Sequence, residues 1–189
     1  MPDTPDYLAR IRDLAAARDP LTAQAQSPAL IAELIANIPA ERLITGPAPG
    51  KWSVAEILAH LAEDEIATAW RYRQIVEQPG IALAGFDQDL WANLGNYPAR
   101  DPNDSLTLYR LLREANLHFL RALSPEQWDA FGIHAERGSI TVRDLATHMV
   151  GHDANHISQI QKLLPESPRL DPDSGTESAA NVHGLQARS

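Results

Sequence analysis

The chain has 189 residues, 44% of them hydrophobic, which predicts a single domain with one sizeable core. Its formal net charge is -9, so no basic field is available to hold a nucleic acid or an anionic membrane surface. It contains no cysteine, which excludes disulfides and sulfur ligands and restricts any metal site to His, Asp and Glu.

The N-terminal segment lacks a basic region followed by an apolar stretch. No later segment approaches the roughly 20 apolar residues that a membrane helix requires. We therefore expect a cytoplasmic protein with neither a membrane nor a nucleic acid as partner.

Apolar residues recur at helical spacing through most of the chain, which predicts an all-α fold. A first helix is expected over residues 7–17 and should end at Asp19-Pro20, as an appended or swapped element. The first bundle helix is expected to begin near Ser27-Pro28 and to end before Pro39. These patterns predict an N-terminal helical extension over residues 1–26, a four-helix bundle over 27–166 and a flexible tail over 167–189.

The second bundle helix is expected to start at Ser53, which forms an S-x-x-E capping box with Glu56, and to run to about Gln78. The pattern then weakens over residues 81–104. One short helical piece is expected there, over 87–94, within a long crossing connection that often forms a wall of a site.

The third bundle helix is expected from about Ser105 to Leu123. Its apolar stripe would consist of Leu108, Leu111, Leu112, Ala115, Phe119 and Leu123, with Arg110, Arg113 and Glu114 on the polar face. A helical turn over 124–128 and a hairpin-like turn over 131–140 should follow. The fourth helix is expected to begin at Thr141 and to end at Pro165.

The fourth helix carries His148, His152 and His156 at successive intervals of four residues, on one stripe. Two imidazoles four residues apart can converge on one ion, but a third ligand must come from another helix. His60 and His118 both stand between apolar neighbours, and either could serve on periodicity alone. A single His on an apolar face is more often a hydrogen-bonded core residue than a ligand.

Asp64 follows His60 by four residues and shares its face. It could reach an open position of an ion or a ligand imidazole, or it could be a solvated helix carboxylate. Both interpretations stay open on the sequence.

Two blocks of sequence resemble the DinB/YfiT-like family. Residues 50–65 look like the start of that family's second helix, in which a Trp-Ser start (Trp52-Ser53) is followed by a metal-binding His and then by acidic residues. Residues 151–160 resemble its last bundle helix, with an H-x-x-x-H motif followed by a Gln-Ile pair. The order and spacing agree with the family from about Ser27 to Leu164.

The resemblance implies a four-helix bundle with a long crossover after the second bundle helix, and one divalent ion held by three histidines. Carried over by position, the ligands are His60, His152 and His156. His148 is then left with a pocket-lining or structural role. The other histidines, His118, His134 and His183, match no ligand position of the family.

A divalent ion held by three imidazoles can lower the pKa of a bound water or thiol. Imidazole ligands suit zinc, nickel, copper and iron, of which we expect zinc or nickel. The resemblance therefore implies a metal-dependent hydrolase, or an S-transferase that uses a low-molecular-weight thiol, acting on a small-molecule substrate. The alternative is a stress-associated metal-binding or interaction protein without catalysis. Such a structural site should be closed by a fourth protein ligand such as Asp64. The extra N-terminal helix favours a homodimer.

Overall fold

The computed structural model describes residues 4–164, and the predicted tail over 167–189 lies outside them. The helices are α1 (Pro5–Ala15), α2 (Pro20–Ile35), α3 (Ala40–Leu43), α4 (Val54–Glu77), α5 (Gln88–Leu94), α6 (Pro102–Arg121), α7 (Pro125–Trp128) and α8 (Val142–Leu163). The strands are β1 (Ala82–Leu83), β2 (Phe131–His134) and β3 (Gly138–Thr141). The all-α class, the bundle and its extra N-terminal helix are confirmed.

The long helices α2, α4, α6 and α8 form the bundle, and side-chain contacts show how they run. Glu65 of α4 accepts a hydrogen bond from Arg113 of α6, and Arg73, further along α4, stacks over Phe119, which is further along α6. Helices α4 and α6 are therefore parallel. His60 of α4 meets His152 of α8, and Thr68, further along α4, hydrogen-bonds Met149, which is earlier in α8. Helices α4 and α8 are therefore antiparallel. Two parallel neighbours need a long connection, which the segment between α4 and α6 provides.

The predicted start of the first bundle helix is wrong, because α2 begins at Pro20 and continues through Pro28. Asp19 caps α2, since its Oδ2 accepts the backbone N–H of Thr22 at 2.8 Å, and Pro20 takes the first helical position. The boundary expected at residue 26 consequently falls inside a continuous helix.

Helix α2 tolerates its internal proline because a side chain replaces the lost donor. Pro28 has no N–H to offer to the carbonyl of Gln24 four residues earlier. Nη1 of Arg113, on α6, donates to that carbonyl at 3.3 Å instead. A partner from another helix thus keeps α2 unbroken, and this partner was invisible in the local sequence.

The predicted apolar stripe of α6 is also wrong. Leu108 and Leu111 are exposed, Leu111 at 52%, whereas Tyr109, Arg113 and Asn116 are buried. The helix is rotated by about one residue relative to the expectation. Helix α6 therefore turns polar side chains toward the core, where Arg113 and Asn116 bond side chains of α4 and α8.

The crossover contains α5 as expected, together with two short elements that periodicity did not predict. Strand β1 pairs in parallel with β2, and β2 pairs antiparallel with β3, which confirms the hairpin-like turn. A 3₁₀ turn, Tyr97–Ala99, precedes α6. Elements of two or three residues are too short to show a period.

Glu63, three residues after His60 on α4, bonds two residues at the end of the crossover. The Tyr97 hydroxyl donates to Oε2 of Glu63 at 2.8 Å, and Arg100 forms an ion pair with the same carboxylate. The end of the crossover is therefore held against the helix that carries His60.

Helix α1 crosses α8 at Gly151. A Cβ atom at this position would lie 2.0 Å from the carbonyl oxygen of Ile11, so only glycine permits the approach. Within residues 4–164, no helix has the length and apolar composition needed to cross a membrane.

Candidate metal centre

The first predicted ligand, His60, lies on the second turn of α4 and is 3% exposed. The capping box that starts this helix is present. Ser53 Oγ accepts the backbone N–H of Glu56 at 3.3 Å, and the Glu56 carboxylate accepts the Ser53 N–H at 2.8 Å. Because the start of α4 is defined, the direction in which His60 points is defined too.

His152 and His156 lie one turn apart in the middle of α8, and both are buried. Thr141 and Asp144 form the capping box of this helix. The spacing of four residues puts both imidazoles on the side that faces α4.

The structure brings His60, His152 and His156 together, and we refer to them as the three-histidine group. Nε2 of His152 lies 3.1 Å from Nε2 of His60 and 3.1 Å from Nε2 of His156. One ligand atom from each residue lies within 4.8 Å of the others. A tetrahedral ion at about 2.0–2.1 Å from each nitrogen would require nitrogen separations of roughly 3.3 Å. The geometry therefore fits a metal ion closely.

Hydrogen bonding alone explains this convergence poorly. Each ring nitrogen of a neutral imidazole is either one N–H donor or one lone-pair acceptor, so Nε2 of His152 can form a well-aligned hydrogen bond with only one of the two nitrogens at 3.1 Å. A cation that accepts lone pairs from all three nitrogens satisfies the whole group at once.

Burial keeps these imidazoles in the neutral form that binds metals. Burial lowers the pKa of His152 to about 4 and, with the charge of His152 adding to it, lowers the pKa of His156 to about 3. Burial also lowers the pKa of His60 well below its usual value. No proton has to leave these ligands near neutral pH before a metal binds.

Asp64 contacts a ligand imidazole, and its interpretation as a solvated carboxylate is wrong. It is 8% exposed, and its Oδ2 lies 3.6 Å from Nδ1 of His152. This separation is longer than a hydrogen bond, but a negative charge on this side of the ring favours the tautomer with the proton on Nδ1, which leaves Nε2 free for a metal.

Among the described residues, His118, His134 and His148 are not part of the group. His148 stacks near His152 with ring centres 6.3 Å apart, and its edge meets Tyr7 at 6.5 Å. His118 is exposed on α6, which removes the alternative that periodicity left open. Trp52 packs over His60 with ring centres 5.1 Å apart.

Behind the three-histidine group lies a cluster of buried polar side chains that the sequence argument missed. We call it the buried charge cluster, and it consists of Glu65, Tyr109, Arg113, Asn116 and Asp153. Arg113, predicted on a polar surface, is 1% exposed. The spacing of Tyr109, Arg113 and Asn116 at i, i+4 and i+7 along α6 was the available indication of a shared buried face.

Arg113 binds both helices that carry the histidines. Its guanidinium bonds Asp153 of α8 through Nη1 at 2.6 Å and Nη2 at 3.0 Å, and it bonds Glu65 of α4 at 2.7 Å. The Tyr109 hydroxyl donates to Asp153, and Asn116 donates to Glu65. Helix α6 offers no ligand to the group but sets the relative position of α4 and α8.

One guanidinium in this cluster faces two carboxyl groups. Burial raises the pKa of Glu65, an effect that Arg113 opposes. Burial also acts against the charged form of Arg113, but Asp153 and Glu65 outweigh it and the pKa of Arg113 is raised. The guanidinium is therefore held as a cation between two acidic groups.

Fold and site together define the class: a four-helix bundle with a long crossover that gathers three buried histidines in a geometry suited to a divalent ion. Residues 23–160 match the DinB superfamily, and the chain belongs to that family.

Curated relatives share this part of the chain. A candidate metal-dependent hydrolase of Oceanobacillus iheyensis, OB0782, is 26% identical over 137 residues, which cover 72% of this chain and 78% of the relative. YfiT of Bacillus subtilis, also named as a candidate metal-dependent hydrolase, is 25% identical over 72% of this chain and 77% of its own.

Solved structures show the same fold. The structure of YfiT, described as a four-helix bundle of unusual topology, superposes with a TM-score of 0.71 at 23% identity, over 76% of this chain and 83% of YfiT. A mycothiol-dependent maleylpyruvate isomerase superposes with a TM-score of 0.58 at 12% identity, over 76% of this chain and 59% of its own.

Proposed function

We propose that this protein is a metal-dependent hydrolase of a small-molecule substrate, with one divalent ion held by His60, His152 and His156. The observation that carries the proposal is the convergence of three buried, neutral imidazoles, in which Nε2 of His152 lies 3.1 Å from Nε2 of both His60 and His156 and all three ligand atoms lie within 4.8 Å of one another. The curated relatives are named as candidate metal-dependent hydrolases, which supports the same reaction class.

A bound divalent ion would lower the pKa of a water molecule or polarise a carbonyl oxygen. The chain's own side chains prepare the site for this chemistry. The Asp64 carboxylate lies 3.6 Å from Nδ1 of His152, and Trp52 covers one face of His60. The buried charge cluster keeps α4 and α8 at the separation that three ligands need.

The ligand count favours catalysis over a structural role. Among the described residues, the group contains three ligands, and Asp64 contacts His152 at Nδ1 rather than at the shared Nε2. Structural zinc sites have four protein ligands, whereas catalytic sites keep a position for water or substrate. A three-ligand site fits the second kind, and zinc and nickel are among the metals that suit imidazole donors.

Metal content tests the site directly. Elemental mass spectrometry of the untagged protein, after reconstitution with zinc or nickel, should find about one ion per chain, as expected of a single three-ligand site. The ion should be lost in His152→Ala/His156→Ala and retained in His118→Ala, which removes an exposed histidine of α6. A wild-type protein that binds no ion, or a double variant that retains it, would contradict the proposal.

Turnover tests the reaction class. The metal-loaded protein should hydrolyse members of a panel of esters, amides and lactones, and His152→Ala should lose this activity together with the ion. The same panel run with a low-molecular-weight thiol distinguishes an S-transferase, because turnover would then depend on the thiol. A loaded protein inert in both panels would favour the non-catalytic alternative.

A further inference from the structure

The apolar stripe of α6 that periodicity placed in the core faces solvent instead. Leu108, Leu111 and Ala115 are exposed, and Leu112 beside them is partly buried. The first three follow one another at intervals of three and four residues, which is the spacing that helices use to pack along another helix. Among residues 4–164, no element covers this stripe, so it is open to a partner.

Helix α4 continues this apolar surface beside α6. Ile66 and Trp70, one turn apart on α4, are exposed, Trp70 at 60%. In two parallel helices in contact, the residue after a contact residue on one helix and the residue before a contact residue on the other point to the same side. Ile66 follows Glu65 and Leu112 precedes Arg113, and Glu65 bonds Arg113. We call this shared surface the outer apolar face, and it consists of Ile66, Trp70, Leu108, Leu111, Leu112 and Ala115.

The outer apolar face is separate from the three-histidine group. Ile66 follows His60 by six residues, so it points about 120° away from this histidine around α4. Contiguous apolar side chains on a protein surface mark an interaction site, whereas single exposed ones do not. The face therefore has a role other than metal binding.

Opposite charges stand at the two ends of the outer apolar face. At one end, Arg73 follows Trp70 on α4, and its guanidinium lies 4.6 Å from the ring centre of Phe119, near the end of α6. At the other end, the exposed Asp104 precedes Leu108 by one turn of α6. No ion pair within residues 4–164 involves Arg73 or Asp104.

These two charges complement each other in a second copy of the chain. Asp104 lies seven residues before Leu111 and Phe119 eight residues after it, which is about 10–12 Å in either direction along α6. A second copy laid antiparallel about Leu111 therefore brings its Asp104 to the Arg73 end of the first copy. By symmetry, its Arg73 comes to the Asp104 end, so both pairs of opposite charges meet.

The apolar residues between the charges also suit this antiparallel arrangement. Leu108 comes opposite Ala115 of the second copy, a large side chain against a small one, and Leu111 meets Leu111. Glu77, one turn beyond Arg73 on α4, then lies past the start of the second copy's α6 rather than against Asp104.

We propose that the outer apolar face binds a second copy of this chain in a twofold dimer, with α6 antiparallel to α6. A twofold contact repeats each pair, so two pairs of Arg73 and Asp104 flank one apolar centre. The homodimer expected from the sequence is thereby assigned to α4 and α6, because α1 packs against α8 of its own chain at Gly151. The inference does not depend on the proposed function.

Sedimentation velocity of the full chain, run with and without zinc, measures the dimer. At about 10 μM the wild type should have twice the chain mass of 20.7 kDa, since specific interfaces reach micromolar dissociation constants or below. Trp70→Glu/Leu111→Glu should weaken dimerisation at least about 100-fold, because the contact would bury unpaired carboxylates. Both positions are exposed, so the variant should keep its fold, which circular dichroism checks.

The matched control is Leu30→Glu/Ile44→Glu, which adds the same charge at exposed apolar positions outside the outer apolar face. It should keep the wild-type dissociation constant within about threefold, because surface charges outside the contact are screened.

Charge reversal tests the antiparallel arrangement. Arg73→Asp and Asp104→Arg each put like charges at both ends of the dimer, so each variant alone should be mostly monomeric. An equimolar mixture of the two should form a mixed dimer, because every reversed charge then meets its opposite. The double variant Arg73→Asp/Asp104→Arg should dimerise by itself for the same reason.

Three results would overturn the inference. The first is a wild type that stays monomeric at about 100 μM, well above the dissociation constants of specific interfaces. The second is a Trp70→Glu/Leu111→Glu variant that dimerises as well as the control. The third is a mixture of the two charge variants that stays monomeric, which would exclude the pairing of Arg73 with Asp104.

Discussion

Replacing Arg113 by methionine should destabilise the protein strongly, because the change removes the cation that pairs two buried carboxylates. The guanidinium makes two bonds to Asp153, one to Glu65 and one to the carbonyl of Gln24. All three charged side chains are 1% exposed, so water cannot replace these bonds. Removing one partner of a buried ion pair costs about 3–5 kcal/mol.

The assay is urea unfolding of the metal-free protein, followed by circular dichroism. With a slope of about 2 kcal/mol per molar urea, a loss of about 4 kcal/mol lowers the midpoint by about 2 M. Such a loss is a large part of the roughly 5–15 kcal/mol that stabilises a domain. The exposed Arg110→Met is the control and should change stability by no more than about 0.5 kcal/mol.

A second variant separates folding from metal binding. Removing both carboxylates together with the guanidinium, in Glu65→Leu/Arg113→Met/Asp153→Leu, leaves no unpaired charge and should recover much of the stability. Its zinc affinity should stay below that of the wild type, because the bonds that fix α4 against α8 are still missing. A loss under about 1 kcal/mol in Arg113→Met, within the range of an ordinary net hydrogen bond, would refute this account of the cluster.

Three further outcomes can be measured. Gly151→Ala should loosen α1, because its Cβ would lie 2.0 Å from the Ile11 carbonyl oxygen; hydrogen exchange in α1 should rise, and unchanged exchange would contradict the close approach. Asp64→Asn should weaken zinc binding about 10- to 100-fold in a chelator competition while the unfolding temperature changes little, and an unchanged affinity would exclude its role at His152. The free energy of unfolding of the metal-free protein should fall as the pH drops from about 6.5 toward 4, because the unfolded chain binds protons at its usual histidine pKa while burial lowers the pKa of His152 to about 4. This histidine alone contributes about 1.4 kcal/mol per pH unit in that window, and stability that stays flat would show that the imidazole is not held neutral.

The long helices that bear the histidines were predictable because their limits are encoded locally. Ser53 with Glu56, and Thr141 with Asp144, form the capping boxes of α4 and α8. The same local rules were incomplete at α2, because Asp19-Pro20 was interpreted only as the end of the first helix, whereas it also begins α2. A Pro at a helix start and a Pro after a helix end look alike until the neighbouring helices are placed.

The candidate ligands were predictable only in part. The spacing of His152 and His156 showed that they share a helix face, but it could not choose between His60 and His118 for the third position. Resemblance to the family indicated His60, and the structure places it in the group while leaving His118 exposed. That outcome depends on the rotation of α4 and α6 about their own axes.

The sequence by itself determined where the bundle helices that carry the histidines lie, and which residues share a face of each, because caps, breakers and periodicity act within a few residues of one another. Only the tertiary structure decided which faces meet. Arg113 is buried while Leu111 is exposed, since paired charges on α4, α6 and α8 satisfy one another across 40 to 48 residues of chain. Contacts between residues this distant depend on helix rotation and strand pairing, which no local pattern specifies.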